Sequence, residues 1–117
     1  MNISYKTDNF DLTDEITSYA EEKVVSLEKF IGDQDAHEAE ILVELSKDEK
    51  HHSGLIYRAD ITVITAEQRT HAVGHGSGMK EALDLAKDEL KRRLTRRKGR
   101  MMRLVRHGQK RIKDMFR

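Results

Sequence analysis

His37 to Asp48, HEAEILVELSKD, decides the fold. Ala39, Ile41, Val43 and Leu45 fall on one side of an extended chain, and Glu38, Glu40 and Glu44 on the other. A period of two with one apolar and one charged side predicts a strand with one buried face and one wet face. Working forward, Lys47 to Gly54 is a polar connection ending in glycine, suited to a hairpin. Leu55 to Thr65 alternates again, with Leu55, Tyr57, Ala59, Ile61 and Val63 on the odd side. A short turn over Ala66 to Gln68 leads to a third strand, Arg69 to His75, which Gly74, Gly76 and Gly78 are expected to break. Each strand has one apolar face, so whatever covers the sheet should cover that single face.

Two helical stripes supply the cover. Thr13 is placed as an N-cap, with Asp14 and Glu15 in the first turn, where the helix dipole favours anions. Ile16, Ala20, Val24, Leu27 and Ile31 then recur at helical spacing, widened by Tyr19 and Phe30. This predicts a helix over 13–31, closed by Gly32, with Lys23 extending its ammonium outward from the stripe. Near the other end, Leu83, Ala86, Leu90 and Leu94 form a second stripe, with Ser77 as its expected cap and the helix starting near Met79. Asn2 to Thr7 puts Ile3 and Tyr5 on one side and reads as a first short strand. The order is β-α-β-β-β-α. The first two strands flank a helix and should be parallel with a right-handed crossover; the rest should pair as antiparallel hairpins. The fold class is α+β, a four-stranded mixed sheet with two helices on one face.

Charge is divided unevenly along this plan. The formal net charge is only +1. Residues 79–117 nevertheless hold 15 Lys/Arg against 5 Asp/Glu, and residues 1–78 hold 7 against 16. The basic character sets in at KDELKRRLTRRKGRMMR, Lys87 to Arg103, and no acid occurs between 91 and 113. On a helical wheel Arg92, Arg96 and Arg103 lie opposite the apolar stripe. Lys87, Lys91 and Lys98 flank it on one side, Arg93 and Arg97 on the other. Arg97 would point toward the core, where an unpaired guanidinium is very costly, so the helix should have left the domain by then. Solvated faces usually mix signs; an acid-free run of this length points to a polyanionic partner.

The remaining composition narrows the choice. With 117 residues one domain and a modest core are expected. The absence of Cys removes disulfides and thiolate metal ligation. MNISYKTDNF has no apolar run of the secretory kind, and no stretch approaches the roughly 20 apolar residues of a membrane span, so a cytoplasmic protein is expected. His71 and His75 share a strand face but lie about 13 Å apart by strand rise, too far to hold one ion. Neither Asp60 nor Glu67 has a catalytic partner that can be placed beside it, and Gly74 to Gly78, GHGSG, lacks the lysine and spacing of a phosphate-binding loop. No cofactor, metal or enzymatic activity is expected.

The element order, the segment SLEKFIGD (Ser26 to Asp33), the long charged hairpin and GMKEALDLAKDELKRRLTRRK (Gly78 to Lys98) together resemble the ribosome hibernation promoting factors. These are also called ribosome-associated inhibitors or sigma-54 modulation proteins. The resemblance covers residues 1–100 and is to the short form. It implies a fold similar to double-stranded RNA-binding domains, and binding to the small (30S) ribosomal subunit and its 16S rRNA at the tRNA and mRNA sites. Translation would then be inhibited by occlusion, in a stress response. It also implies rRNA contacts by Lys29, in the LEK segment, and by Lys87, Lys91, Arg92, Arg93, Arg96, Arg97, Lys98, Arg100 and Arg103, in the basic helix and its continuation. The family often has Asp-Met-Tyr where this chain has Gly78, Met79 and Lys80.

Residues 101–117 have no counterpart in that pattern. Met101, Met102, Leu104, Val105, Ile112, Met115 and Phe116 give them an apolar side among cations. A basic amphipathic extension of the footprint is the expectation. Two alternatives stand beside it: a general double-stranded RNA or DNA binder, and a module that meets a membrane surface or protein partner through the basic tail.

Overall fold

The computed structural model describes residues 1–50, 54–66 and 68–96. Four strands, β1 (Asn2–Asp8), β2 (Glu40–Lys47), β3 (Tyr57–Ile64) and β4 (Arg69–Gly76), form one sheet in the order β1-β2-β3-β4. β1 runs parallel to β2, with Ile3 opposite Ile41 and Tyr5 opposite Val43. β2, β3 and β4 follow as an antiparallel meander, with Val43 opposite Ile61 and Ile61 opposite Ala72. The mixed sheet and the α+β class are as the alternation predicts.

The first helical stripe is broken where a single helix over 13–31 is expected. α1 spans Asp14–Val25, and a separate turn of helix, α2, spans Glu28–Ile31. Thr13 caps α1 as predicted, its Oγ1 accepting from the Ile16 amide at 3.2 Å. The break comes at Ser26, whose hydroxyl donates back to the Lys23 carbonyl at 2.6 Å, while the Leu27 amide tightens onto Val24 O. A serine hydroxyl competing for a helix carbonyl is a known way to bend or end a helix. The apolar stripe survives the break, because Ala20, Val24 and Leu27 are all buried. Gly32 closes α2 at φ 103°, ψ 145°, a backbone that side-chain-bearing residues rarely adopt. A further short helix, α3 (Asp33–Glu38), then occupies the start of the segment read as strand. The strand expected from His37 starts later: β2 begins at Glu40, and His37 O instead receives the N-terminal ammonium of Met1 at 3.1 Å.

The last helix, α4, covers 79–96 of the described residues. Its first turn is set by Gly78, whose carbonyl accepts from Ala82 N at 3.1 Å. Ser77 lies one residue before that cap and is not itself the cap. It gives its hydroxyl and amide to the Glu81 carboxylate at 2.8 and 3.4 Å. Leu83, Ala86, Leu90 and Leu94 are buried as the stripe predicts, joined by Met79 and Ala82. They meet Ile41, Val43, Leu45, Ala59, Ile61, Val63 and Ala72 in one core with α1. On the opposite sheet face Glu40, Arg58, Arg69, His71 and His75 are exposed. Leu55, expected in β3, lies outside it and is 65% exposed.

Gly74 and Gly76 do not break β4; both are inside it. A Cβ on Gly74 would stand 2.1 Å from Ala82 O and 2.5 Å from Ala86 N, and one on Gly76 would stand 2.8 Å from Ala82 N. The helix backbone rests directly on the strand, and alanines on α4 complete the close approach. Replacing Gly74 with Ala should cost about 1–3 kcal/mol through overpacking. Chemical denaturation of the G74A protein measures this, and wild-type stability would contradict the close seat.

Candidate nucleic-acid interface

The seat of α4 on β4 sorts its cations by direction. Lys91, Arg92, Arg93 and Arg96 are all exposed, and Leu94 beneath them is buried. Arg93 leans toward the sheet, its Nη1 donating to His71 O at 2.6 Å and its Nε to Glu89 at 3.2 Å. It covers a main-chain carbonyl on an edge strand, which makes it part of the scaffold. Lys91 leans the other way, with its Nζ 5.2 Å from the centre of the Phe30 ring on α2. Lys29, from the other expected site segment, places its Nζ 5.2 Å from the same ring. The structure therefore brings Lys29 and Lys91 to one aromatic side chain. Among the described residues no carboxylate forms an ion pair with either. Cation–π contacts at such exposed sites are worth about 0.5–1 kcal/mol each.

The other expected residues divide. Arg92 shares Glu89 with Arg93, at 3.2 Å and 66% side-chain exposure, a contact too exposed to hold its guanidinium from another partner. Arg96 is exposed. Lys87 is half-buried and lies 3.5 Å from the neighbouring Asp88. Arg97, Lys98, Arg100 and Arg103, and the whole of 101–117, lie outside the described residues.

A second aromatic cluster, joining α1 to the start of α4, is not legible in the sequence. Tyr19 donates its hydroxyl to Asp84 at 2.6 Å, and Lys23 pairs with the same carboxylate at 3.2 Å. Lys80, which stands where the family often has an aromatic residue, reaches Glu15 at 2.6 Å. Lys23 and Lys80 lie 5.0 and 5.3 Å from the Tyr19 ring centre. The available signal was Lys23 interrupting an apolar stripe; its partners come from a helix about sixty residues away and no local pattern reveals them.

These contacts shift titrations in definite directions. The hydrogen bond to Asp84, then burial, holds the Tyr19 hydroxyl above its ordinary range. The bond to Asp84 also raises Lys23, and the bond to Glu15 raises Lys80. Lys80 in turn lowers Glu15. Groups raised on folding contribute fully below their unfolded values, near 10 for Tyr and 10.4 for Lys, and lose that contribution as pH rises through the folded values. Glu15 has the opposite sign: its contribution is lost as pH falls through its lowered value.

Among the described residues no group of three or more His, Asp or Glu side chains is placed to hold a metal ion. No helix there is long and apolar enough to cross a membrane. Asp60 is mostly buried: its Oδ2 accepts from Arg58 at 3.3 Å, and its Oδ1 is buried without a hydrogen-bond partner among the described residues.

Comparison with known proteins agrees with this architecture. Residues 3–102 match the family described as sigma 54 modulation protein / S30EA ribosomal protein. The chain belongs to that family. Among solved structures it is similar to the N-terminal domain of Protein Y from Thermus thermophilus, at 26% identity and a TM-score of 0.67, covering 82% of this chain and 98% of that one. A ribosomal subunit interface protein from Coxiella burnetii shares the fold at 17% identity and a TM-score of 0.68, covering 85% of this chain and 99% of that one. No curated protein sequence matches.

The raised Tyr19 and Lys23 values give a stability test. As pH rises above about 10 the melting temperature should fall more steeply for the wild type than for Asp84→Asn, which removes the charge both groups depend on. Thermal melts across that range check it; parallel curves would contradict the assignment.

Proposed function

We propose that this protein is a ribosome hibernation factor of the cytoplasm that binds the small ribosomal subunit. It sits where tRNA and mRNA would lie and inhibits translation by occupying that space. The observation that carries the reading is the exposed cationic side of α4, with Lys91, Arg92 and Arg96 beside Lys29, on a chain that belongs to this family. The names of its structural relatives, Protein Y and a ribosomal subunit interface protein, support the same reading.

The chemistry required is modest. Lysine and arginine neutralise phosphates and release condensed counterions, which supplies affinity but little sequence information. Folded 16S rRNA is read by shape and by its 2′-hydroxyls. Lys29, Lys91, Arg92 and Arg96 are assigned the direct phosphate contacts, with Lys87 at their margin. Arg97, Lys98, Arg100 and Arg103 continue the cationic run, and 101–117 extend the footprint. Arg93 contributes its field while its side chain braces β4. The acidic remainder of the chain disfavours indiscriminate binding to nucleic acid. Occlusion consumes no substrate, so inhibition is stoichiometric and has no turnover.

Cosedimentation with purified small subunits tests the reading, with cell-free translation alongside. Wild-type protein should bind in a salt-sensitive manner and stop translation at stoichiometric amounts. Lys91→Glu, Arg92→Glu and Arg96→Glu together should weaken binding by about 100-fold or more, through three reversed phosphate contacts. The melting temperature should stay within a few degrees, because all three side chains are exposed. Wild-type protein that neither cosediments nor inhibits would overturn the proposal.

A further inference from the structure

The face of the sheet turned away from α1 and α4 carries an apolar strip. Leu42, Ile64 and Val73, from the three strands of the meander, lie on it, each half-buried. Glu40, Glu44 and Asp60 flank that strip on the two central strands, Glu44 directly opposite Asp60. A hollow of about 420 Å³ opens at one end of this face, lined by Leu42 and Ile64 with Glu40 beside them. Among the described residues no lysine or arginine forms an ion pair with Glu40 or Glu44, and Asp60 Oδ1 has no hydrogen-bond partner. The cations of this face stand outside the hollow: Lys6 on β1, Arg69 on β4, and Arg58 already paired with Asp60. Three acids along the central strands repel RNA phosphates. The complement of such a face is a protein segment that is apolar on one side and cationic on the other.

The chain itself contains one. Residues 97–117 hold nine Lys/Arg against the single acid Asp114, and Met101, Leu104, Val105 and Ile112 are among their apolar residues. They also start at the right place. Arg93 holds His71 O near the beginning of β4, so α4 leaves the sheet at the end where Glu40, Ile64 and Arg69 lie side by side on neighbouring strands and the hollow opens. Twenty-one residues can extend about 70 Å, against about 14 Å across four strands. We propose that the open face of the sheet is the docking surface for residues 97–117 of the same chain when no RNA is bound. The apolar side of that segment covers Leu42, Ile64 and Val73, and its cations meet Glu40, Glu44 and Asp60. The free protein thereby neutralises its most cationic segment on its own acids, and RNA competes for the same cations and releases it. The release rests on the reading of this chain as an RNA-binding protein; the docking does not.

The test uses the full chain. The sequence has no Cys, so Gln109→Cys supplies a single thiol for a nitroxide spin label. In methyl NMR spectra the label should broaden Leu42, Ile64 and Val73 on the open face and leave Leu12 and Val25, exposed on the helix side, sharp. Mixing spin-labelled protein with isotope-labelled protein that carries no spin label should give no broadening, because the contact is within one chain. Glu40→Gln with Glu44→Gln removes two ion-pair partners and should weaken docking by about threefold or more, with an unchanged melt. An RNA duplex of about 16 base pairs should restore sharp open-face signals. Open-face signals that stay sharp without RNA would overturn the docking, and broadening in the mixed sample would overturn its assignment to the same chain. Broadening that persists at saturating RNA would overturn the release. Docking and release seen as expected, in a protein that fails to cosediment with small subunits, would leave this inference standing and the ribosomal reading fallen.

Discussion

The contact of α4 with β4 at Gly74 and Gly76 determines where the cations of that helix can go. Helix backbone meets strand backbone there with no room for a Cβ, so α4 has one rotation and one height on the sheet. Leu83, Ala86, Leu90 and Leu94 then fall onto the core, and the residues between them are distributed by the helical period. Lys91 arrives on the α2 side, Arg93 on the β4 side, and Arg92 and Arg96 face away from the sheet. A helix held by softer side-chain packing could rotate and would scatter the same charges.

That placement gives α4 two different lysine–aromatic contacts, one with α1 and one with α2. Near the start of α4, Asp84 and Glu15 take up the charges of Lys23 and Lys80, and the result is a cross-brace between helices distant in sequence. Farther along α4, Lys91 and Lys29 both lie beside Phe30, and among the described residues no carboxylate forms an ion pair with either. The chain's near-zero net charge conceals this arrangement. Repulsion between like charges in a folded protein is a standing cost, offset here by cation–π contact and by the rigidity of the underlying core.

Much of this was legible from periodicity. The alternation through Ile41, Val43 and Leu45 specified a one-faced sheet, and the two helical stripes specified what covers it. The wheel placed Lys91 and Arg93 on opposite flanks of α4, where the structure has them. Errors arose where two local rules competed. The 13–31 stripe continued through Ser26, and period alone cannot show that a serine hydroxyl has taken a helix carbonyl. Gly74 and Gly76 read as strand breakers because sequence does not display the helix backbone that lies against them. The cations were visible in the sequence, but their partition was not. Whether a lysine meets Asp84 or remains unpaired beside Phe30 depends on contacts between α1, α2 and α4, and those exist only in the folded chain.

The central claim is that this cationic surface occupies space that tRNA requires on the small subunit. The most direct measurement is tRNA retained on mRNA-programmed small subunits as the protein is titrated. Bound tRNA should fall to background near stoichiometric protein, and recover when salt is raised enough to release the protein. Protein that cosediments with the subunit while tRNA remains fully bound would contradict the account.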